Sequence, residues 1–378
     1  IFYIYSTWVV PRIAFVPCLG RRFFIFIESR RNVKVKLTNL KEKEVILRKA
    51  ELDKHVPDDF YSTTNYTTKI FHDNKWITVK NQRMDALIVV NRQEAYCKKL
   101  REIRKGDMVV CGDRGIDVIN ETNCGETEDS FSFMNNCVSS ERRNDMLIKD
   151  LAYELFENNK KLTIVAGPVV VHTGGDYYLS ELIRKGYIAS ILAGNAVAVH
   201  DMEKNLYGTS LGVCAKSGKV THNGYKNHMR AINQVMKYGS IKKTVEAGVL
   251  KSGIMYECVK NQIPFVLAGS LRDDGPLPDT ITDMIKAQDA YNEQLRKADI
   301  VIVLGTMLHG IASGNMLPAK IKMICVDINA SVVTKLSDRG SSQAIGIVTD
   351  VGLFLNLLAN EINNLSGSSR YNEQVNVL

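Results

Sequence analysis

No two of the eight cysteines form a Cys-x-x-Cys pair; they fall singly at positions 18, 97, 111, 124, 137, 214, 258 and 325. That spacing excludes a zinc-finger ligand set and a small disulfide framework, so no metal is expected. Scattered thiols fit a reducing compartment, and a cytoplasmic location is the expectation. The chain also has no arginine-rich block and no aromatic RNA-binding word, which removes the usual support for reading its net charge of +8 as a nucleic-acid surface. That charge is uneven. Residues 1–60 hold twelve Lys and Arg against seven Asp and Glu, and the rest of the chain is only weakly basic. Nor is there a clean membrane span or secretory signal, because Pro11 and Arg12 interrupt the apolar run at the start and no basic segment precedes it. Neither nucleic acid nor a membrane is therefore expected as a partner.

What is present is enough chain for two domains, 378 residues. Residues 33–145 read as β-rich, with strands at Trp76–Val79, Asp85–Val90 and Asp107–Cys111, and a polar loop between Asn120 and Ser140. Near Arg143 a helical pattern begins, with Met146, Leu147, Leu151 and Leu155 on one face. From there strands and helices alternate. Strands are expected at Leu162–Ala166, Ile188–Leu192 and Ile263–Ala268, and helices at Tyr177–Lys185 and Thr280–Lys297, the latter with Asp283 in a capping box. Two further strands start at Val301 and Met323, and a final helix runs from Val351 to Leu365. The fold class is thus α/β: an N-terminal β-rich domain over 33–145 and a Rossmann-like parallel-sheet domain over 146–365. Residues 1–32 read as an uncertain or truncated start, and 366–378 as a flexible tail.

The most informative words are VIVLGTMLH (301–309) and, about twenty residues on, MICVDIN (323–329). Each is a short apolar run of the kind that forms a parallel strand covered on both faces, and each stops at groups suited to a nucleotide. Gly305 and Thr306 let backbone approach a phosphate, while Asp327 can accept both hydroxyls of an adenosine ribose. Repelling a 2′-phosphate, that carboxylate selects NAD over NADP. Three more turns, GPVVVHTGG (167–175), GNAVAVHD (194–201) and GSLRDDGPLPD (269–279), follow apolar strands and open on the same sheet edge. Together they describe one crevice for a dinucleotide.

The words AGPVVVHTGG (166–175), IRKGYIASILAGNAVAVHD (183–201), SGIMYECVKNQIPFVLAGSLRDDGPLPDTITDMI (252–285) and VDINASVVTKLSDRGSSQAIGIVTDVG (326–352) resemble archaeal-type ornithine cyclodeaminase, a family shared with the C-terminal part of cyanobacterial arginine dihydrolase/ornithine cyclodeaminase proteins. The resemblance extends over about residues 55–360 and departs at THNGYKNHMRAIN (221–233), where the family is richer in histidine. It implies tightly held NAD, conversion of L-ornithine to L-proline with loss of ammonia, a C-terminal fold similar to the NAD-binding folds of deoxyhypusine synthase and sirtuins, and a homo-oligomer. It places NAD contacts on Asn195, Ala196, Asp274, Thr306, Met307, Leu308, His309, Asp327, Asp350 and Val351.

In the implied reaction a hydride leaves Cα of ornithine, the δ-amine attacks the resulting imine, ammonia departs, and the hydride returns. The protein must supply a base, an anchor for the α-carboxylate and exclusion of water. Asp273, Glu257 and His309 are candidates for the base, with Asp273 favoured because the adjacent Asp274 can perturb its ionisation. Its alternative role is to cap the helix that follows. Cys258 is a candidate nucleophile or an inert core thiol, and Arg83, Arg142 and Arg272 are candidates for the carboxylate anchor. His172 and His200 read as structural neighbours of the cofactor turns. Two other functions remain open: a saccharopine-type amino-acid dehydrogenase and a non-catalytic NAD-binding sensor.

Overall fold

The computed structural model describes residues 13–14, 25–26, 44–119, 141–215, 217–222, 224–273, 275–339 and 344–375. The chain divides into two compact units, one of residues 1–62, 68–81 and 87–119, the other of 63–67, 82–86 and 120–378.

In the first unit β1 (Ile13–Ala14) pairs antiparallel with β2 (Ile25–Phe26). A four-stranded antiparallel sheet contains β3 (Ile46–Lys49), β6 (Leu87–Asn91), β7 (Glu94–Lys98) and β8 (Met108–Cys111) in the order β3-β8-β6-β7. A second sheet has the order β5-β4-β9, from β4 (Thr67–His72), β5 (Lys75–Thr78) and β9 (Ile116–Ile119). The β4–β5 turn needs positive φ at both central residues, which Asp73 (52°) and Asn74 (58°) tolerate. Asp85 (54°) likewise leaves the extended region, so the strand expected from residue 85 starts at Leu87. Ala50, Val56, Leu87, Val89, Ile103 and Val109 form the core here.

The second unit is built on seven parallel strands: β10 (Leu162–Ala166), β11 (Ile188–Gly194), β14 (Phe265–Ala268), β15 (Thr280–Ile281), β16 (Ile300–Leu304), β17 (Lys322–Asp327) and β18 (Ala344–Val348). A small hairpin of β12 (Thr209–Ser210) and β13 (Val213–Cys214) stands apart. The sheet order is β15-β14-β11-β10-β16-β17-β18, so the winding reverses between β10 and β16. Both of these strands are buried along their whole length, as their unbroken apolar runs require. One core packs helices 141–157, 175–184, 195–207 and 351–375 on one face, and a second packs helices 284–295, 307–316 and 330–339 on the other.

Three expectations need correction. Thr280 and Ile281, read as the start of a helix, instead extend the sheet, with Thr280 in register with Leu267. The helix is Met284–Leu295, where Asp283 accepts hydrogen bonds from the Ile285 and Lys286 amides; Lys286 stands where a capping box needs Glu or Gln. Pro264 shortens its strand to Phe265–Ala268. The last helix runs on to Val375 through the segment read as a tail. A single glycine such as Gly367 costs a helix only about 1 kcal/mol, and no proline follows to stop it.

Two remote ties hold the second unit together. Asn65 Nδ2 donates to the Gly314 and Leu317 carbonyls (2.8 and 2.7 Å) at the end of helix Met307–Met316, and the Met84 amide donates to the Asn315 carbonyl (3.0 Å). Asp201, fully buried, accepts from the Ile254 and Met255 amides (3.0 and 2.8 Å) and so caps helix Ile254–Lys260, whose own Gly253 has no side chain to do so. Asp201→Ala leaves both amides buried without a partner and should cost about 2–4 kcal/mol. A fall in the urea midpoint at constant slope would register it, and an unchanged midpoint would contradict this capping role.

Candidate functional site

The crevice lies where the winding of the sheet reverses. Gly167 follows β10 and donates to the Leu304 carbonyl (2.8 Å); Gly305 follows β16 and donates to the Val326 carbonyl (2.9 Å). A Cβ on Gly167 would lie 2.2 Å from the Gly305 carbonyl oxygen, and one on Gly305, held at φ 57°, would lie 2.0 Å from Val169 Cγ1. The floor is therefore bare backbone. Helix Met307–Met316 starts at this floor, and its N-cap Thr306 makes no side-chain capping bond. The first-turn residues Met307 and Leu308 are exposed, 37 % and 74 %. The first amides of a helix have no partner within it, so the positive end of this one is open to an anion.

Asp327 closes β17 with one carboxylate oxygen on the Asn329 amide (2.8 Å), and Asp350 does the same for Leu353 (2.9 Å) at the start of the last helix, beside buried Val351. These groups fit a dinucleotide: bare backbone and the amides of a helix end to donate to the diphosphate, and a carboxylate at the next strand end to accept from a ribose. Asn195 is spent on structure. Buried at the start of helix Asn195–Tyr207, it accepts from the Leu277 amide (3.0 Å) and the Thr280 hydroxyl (2.9 Å).

Two cavities adjoin the crevice. The larger, about 420 Å³, is lined by Ala196, His172, His200, His228, Arg272 and Asp273 among others. The smaller, about 330 Å³, is walled mainly by apolar groups together with Tyr291 and His309, and Ser270 lines both. His309 Nδ1 stands 2.7 Å from the Tyr291 hydroxyl, and its ring lies 3.6 Å from where a Cβ on Gly194 would be. Burial pushes the His309 imidazole down, which favours its neutral form.

The strongest polar cluster belongs to the larger cavity. His200 Nδ1 lies 3.0 Å from Oε2 of Glu203, one turn on along the same helix. Glu203 is fully buried and also accepts from the Thr209 hydroxyl (2.9 Å) and the Leu211 and Gly212 amides (3.2 and 3.1 Å). Burial opposes its ionisation, but the bonds from His200, Gly212 and Thr209 win and hold the carboxyl below its ordinary range. His172 packs edge-on against His200 at 5.0 Å, with its Nδ1 2.6 Å from the Ser210 hydroxyl. Glu203 belongs to no motif that marks it in the sequence, and His200 taken alone reads as structural. The available signal was their i, i+3 spacing, which puts both on one helix face.

The expected catalytic residues separate. Asp273 does line the larger cavity, with one oxygen accepting from the Ser270 amide (2.7 Å); Asp274 lies outside the described residues. Glu257 and Cys258 line neither cavity. Glu257 is buried and paired with Arg184 (2.7 Å) and Asn261 (3.1 Å), and burial pushes the Cys258 thiol far up, which suits an inert core thiol. Of the arginines, Arg272 is exposed at the cavity, Arg83 is buried away from its lining, and the Arg142 side chain lies outside the described part. Among the described residues no cluster could hold a metal ion, and no helix is long and apolar enough to cross a membrane.

Two family models match the chain: the Rossmann-fold part of the C-terminal region of ArgZ-like arginine dihydrolases over residues 148–358, and the first part of that region over 67–148. The chain is 51% identical over 341 residues to an ornithine cyclodeaminase of Methanocaldococcus jannaschii, covering 88% of this chain and 81% of the relative. It is 49% identical over 334 residues to the bifunctional arginine dihydrolase/ornithine cyclodeaminase AgrE of Nostoc, covering 86% of this chain but 48% of that longer protein. Among solved structures, a LOR/SDH protein from Methanococcus maripaludis superposes with a TM-score of 0.81 at 48% identity, covering 86% of this chain and 99% of the other. AgrE crystallised with ornithine and NAD+ superposes with a TM-score of 0.58 at 47% identity, covering 86% and 47%.

Proposed function

Because the chain belongs to the ornithine cyclodeaminase family that includes the C-terminal region of ArgZ-like arginine dihydrolases, we propose that it converts L-ornithine to L-proline and ammonia with bound NAD. The observation that carries this reading is the juxtaposition at one sheet edge of a bare-backbone crevice, floored by Gly167 and Gly305, and a polar cavity of about 420 Å³. Thr306, Met307, Leu308 and His309 would hold the diphosphate end of the cofactor, and Asp327 the adenosine ribose. Asp350 and Val351 would stand beside that end, and Asn195, through backbone since its side-chain oxygen is engaged, would meet the cofactor with Ala196 on the cavity side. Arg272, exposed where it lines the cavity, would meet the α-carboxylate. A cytoplasmic homo-oligomer completes the reading, and a light-scattering mass near the 42.3 kDa of a single chain would contradict the oligomer.

One assay separates the alternatives. Purified protein given L-ornithine and no added NAD should form proline and ammonia; accumulation of NADH would favour an amino-acid dehydrogenase, and no reaction a sensor. NAD+ supplies a place for the Cα hydrogen to go and return from, so ornithine deuterated at Cα should give proline that keeps the label, and label lost to water would refute that cycle.

A further inference from the structure

We infer that His200, oriented by Glu203, carries the proton that must pass from the nitrogen joining Cα to the nitrogen leaving it; this rests on the cyclodeaminase reading. Ring closure forms the Nδ–Cα bond and breaks the Cα–Nα bond. The δ-nitrogen gains a bond and must shed a proton, and the α-nitrogen must gain one to depart as ammonia. The exchange involves no oxidation, and one group that can both accept and donate balances it. Imidazole is the side chain suited to both roles near neutral pH.

The geometry distinguishes this histidine from His172 and Asp273, which line the same cavity. Glu203 occupies the Nδ1 side of His200 at 3.0 Å, leaving Nε2 as the ring nitrogen for the cavity that His200 lines. Glu203 is itself anchored by the Thr209, Leu211 and Gly212 donors, so it cannot swing away, and its charge stabilises the imidazolium formed midway. This is the arrangement in which a buried carboxylate fixes a histidine's tautomer. His172 faces the same ring, but the group at its Nδ1 is the Ser210 hydroxyl rather than a hydrogen-bonded carboxylate. Asp273 shares the cavity, yet one of its oxygens already closes the Ser270 turn. Glu203 is a positioning residue, because it reaches the cavity only through His200.

His200→Gln should lower proline formation by about 100-fold or more while NAD stays bound. Added ornithine should then leave reduced nicotinamide on the protein, seen by its absorbance, because the block falls after the first oxidation. A His200→Gln protein that forms proline within about threefold of the unmodified rate overturns the proposal. Nitrogen NMR of the histidine rings in the unmodified protein provides a test independent of any variant: neutral His200 should carry its proton on Nδ1, and a proton on Nε2 instead overturns it. If the unmodified protein forms no proline, the cyclodeaminase reading has failed rather than the role of His200 within it.

Discussion

Gly167→Ala is expected to abolish NAD binding and to destabilise the second unit by about 3 kcal/mol or more. The new methyl group would sit 2.2 Å from the Gly305 carbonyl oxygen, and that oxygen belongs to backbone, with no rotamer to relieve the clash. Relief must come from parting the ends of β10 and β16, which stretches the Gly167 amide bond to Leu304 and lifts the floor of the crevice. Gly305→Ala should act in the same direction, since φ of 57° is strained for alanine and the methyl would meet Val169, a β-branched side chain with little freedom. Urea unfolding and the nucleotide released on denaturation measure the two effects together. A Gly167→Ala protein that keeps both its midpoint and its NAD would show that this junction is not where the cofactor lies.

Asp327→Ala should weaken NAD by about 100-fold or more and leave the urea midpoint almost unchanged. Two hydrogen bonds to a carboxylate contribute about 1.5–3 kcal/mol each, and their loss converts to at least that ratio. The fold is spared because, on the protein side, the carboxylate holds the Asn329 amide in an exposed turn. The same variant should narrow the preference for NAD over NADP, as the charge that repels a 2′-phosphate is gone. Calorimetric titration with both nucleotides checks both statements, and an unchanged NAD affinity would remove Asp327 from the site.

These two expectations come from positions that the sequence itself displays. Strands β10, β16 and β17 are legible because a strand covered on both faces must be apolar throughout, and the residues that end them are legible because little but glycine or an acid serves there. Strand β15 was not, since two β-branched residues, Thr280 and Ile281, stand directly before a helical pattern and only their register with β14 reveals a strand. Glu257 and Cys258 misled because they lie in a family word that also contains the crevice turn 269–279. Adjacency in the chain is not adjacency in the sheet. Their helix leads to the start of β14, and the partner of Glu257, Arg184, sits in the last turn of the helix leading to β11; both point to the edge away from the crevice. His200 and Glu203 were obscured for another reason: their spacing is visible, but the three further donors that fix Glu203 come from residues 209–212, whose return to this helix is a tertiary fact.

The assignment of residues 63–67 and 82–86 to the second unit sets a limit on modularity. Through Asn65 and Met84 these segments terminate the helix whose other end faces the crevice, binding the carbonyls of Gly314, Asn315 and Leu317. A single cut anywhere from residue 87 to 140 would strip those partners away, so the sheet-bearing part is no cassette to be lifted out or grafted whole. Exchange of cofactor-binding parts with other proteins would have to carry two short, distant stretches of chain along with it, which favours inheritance of both units together.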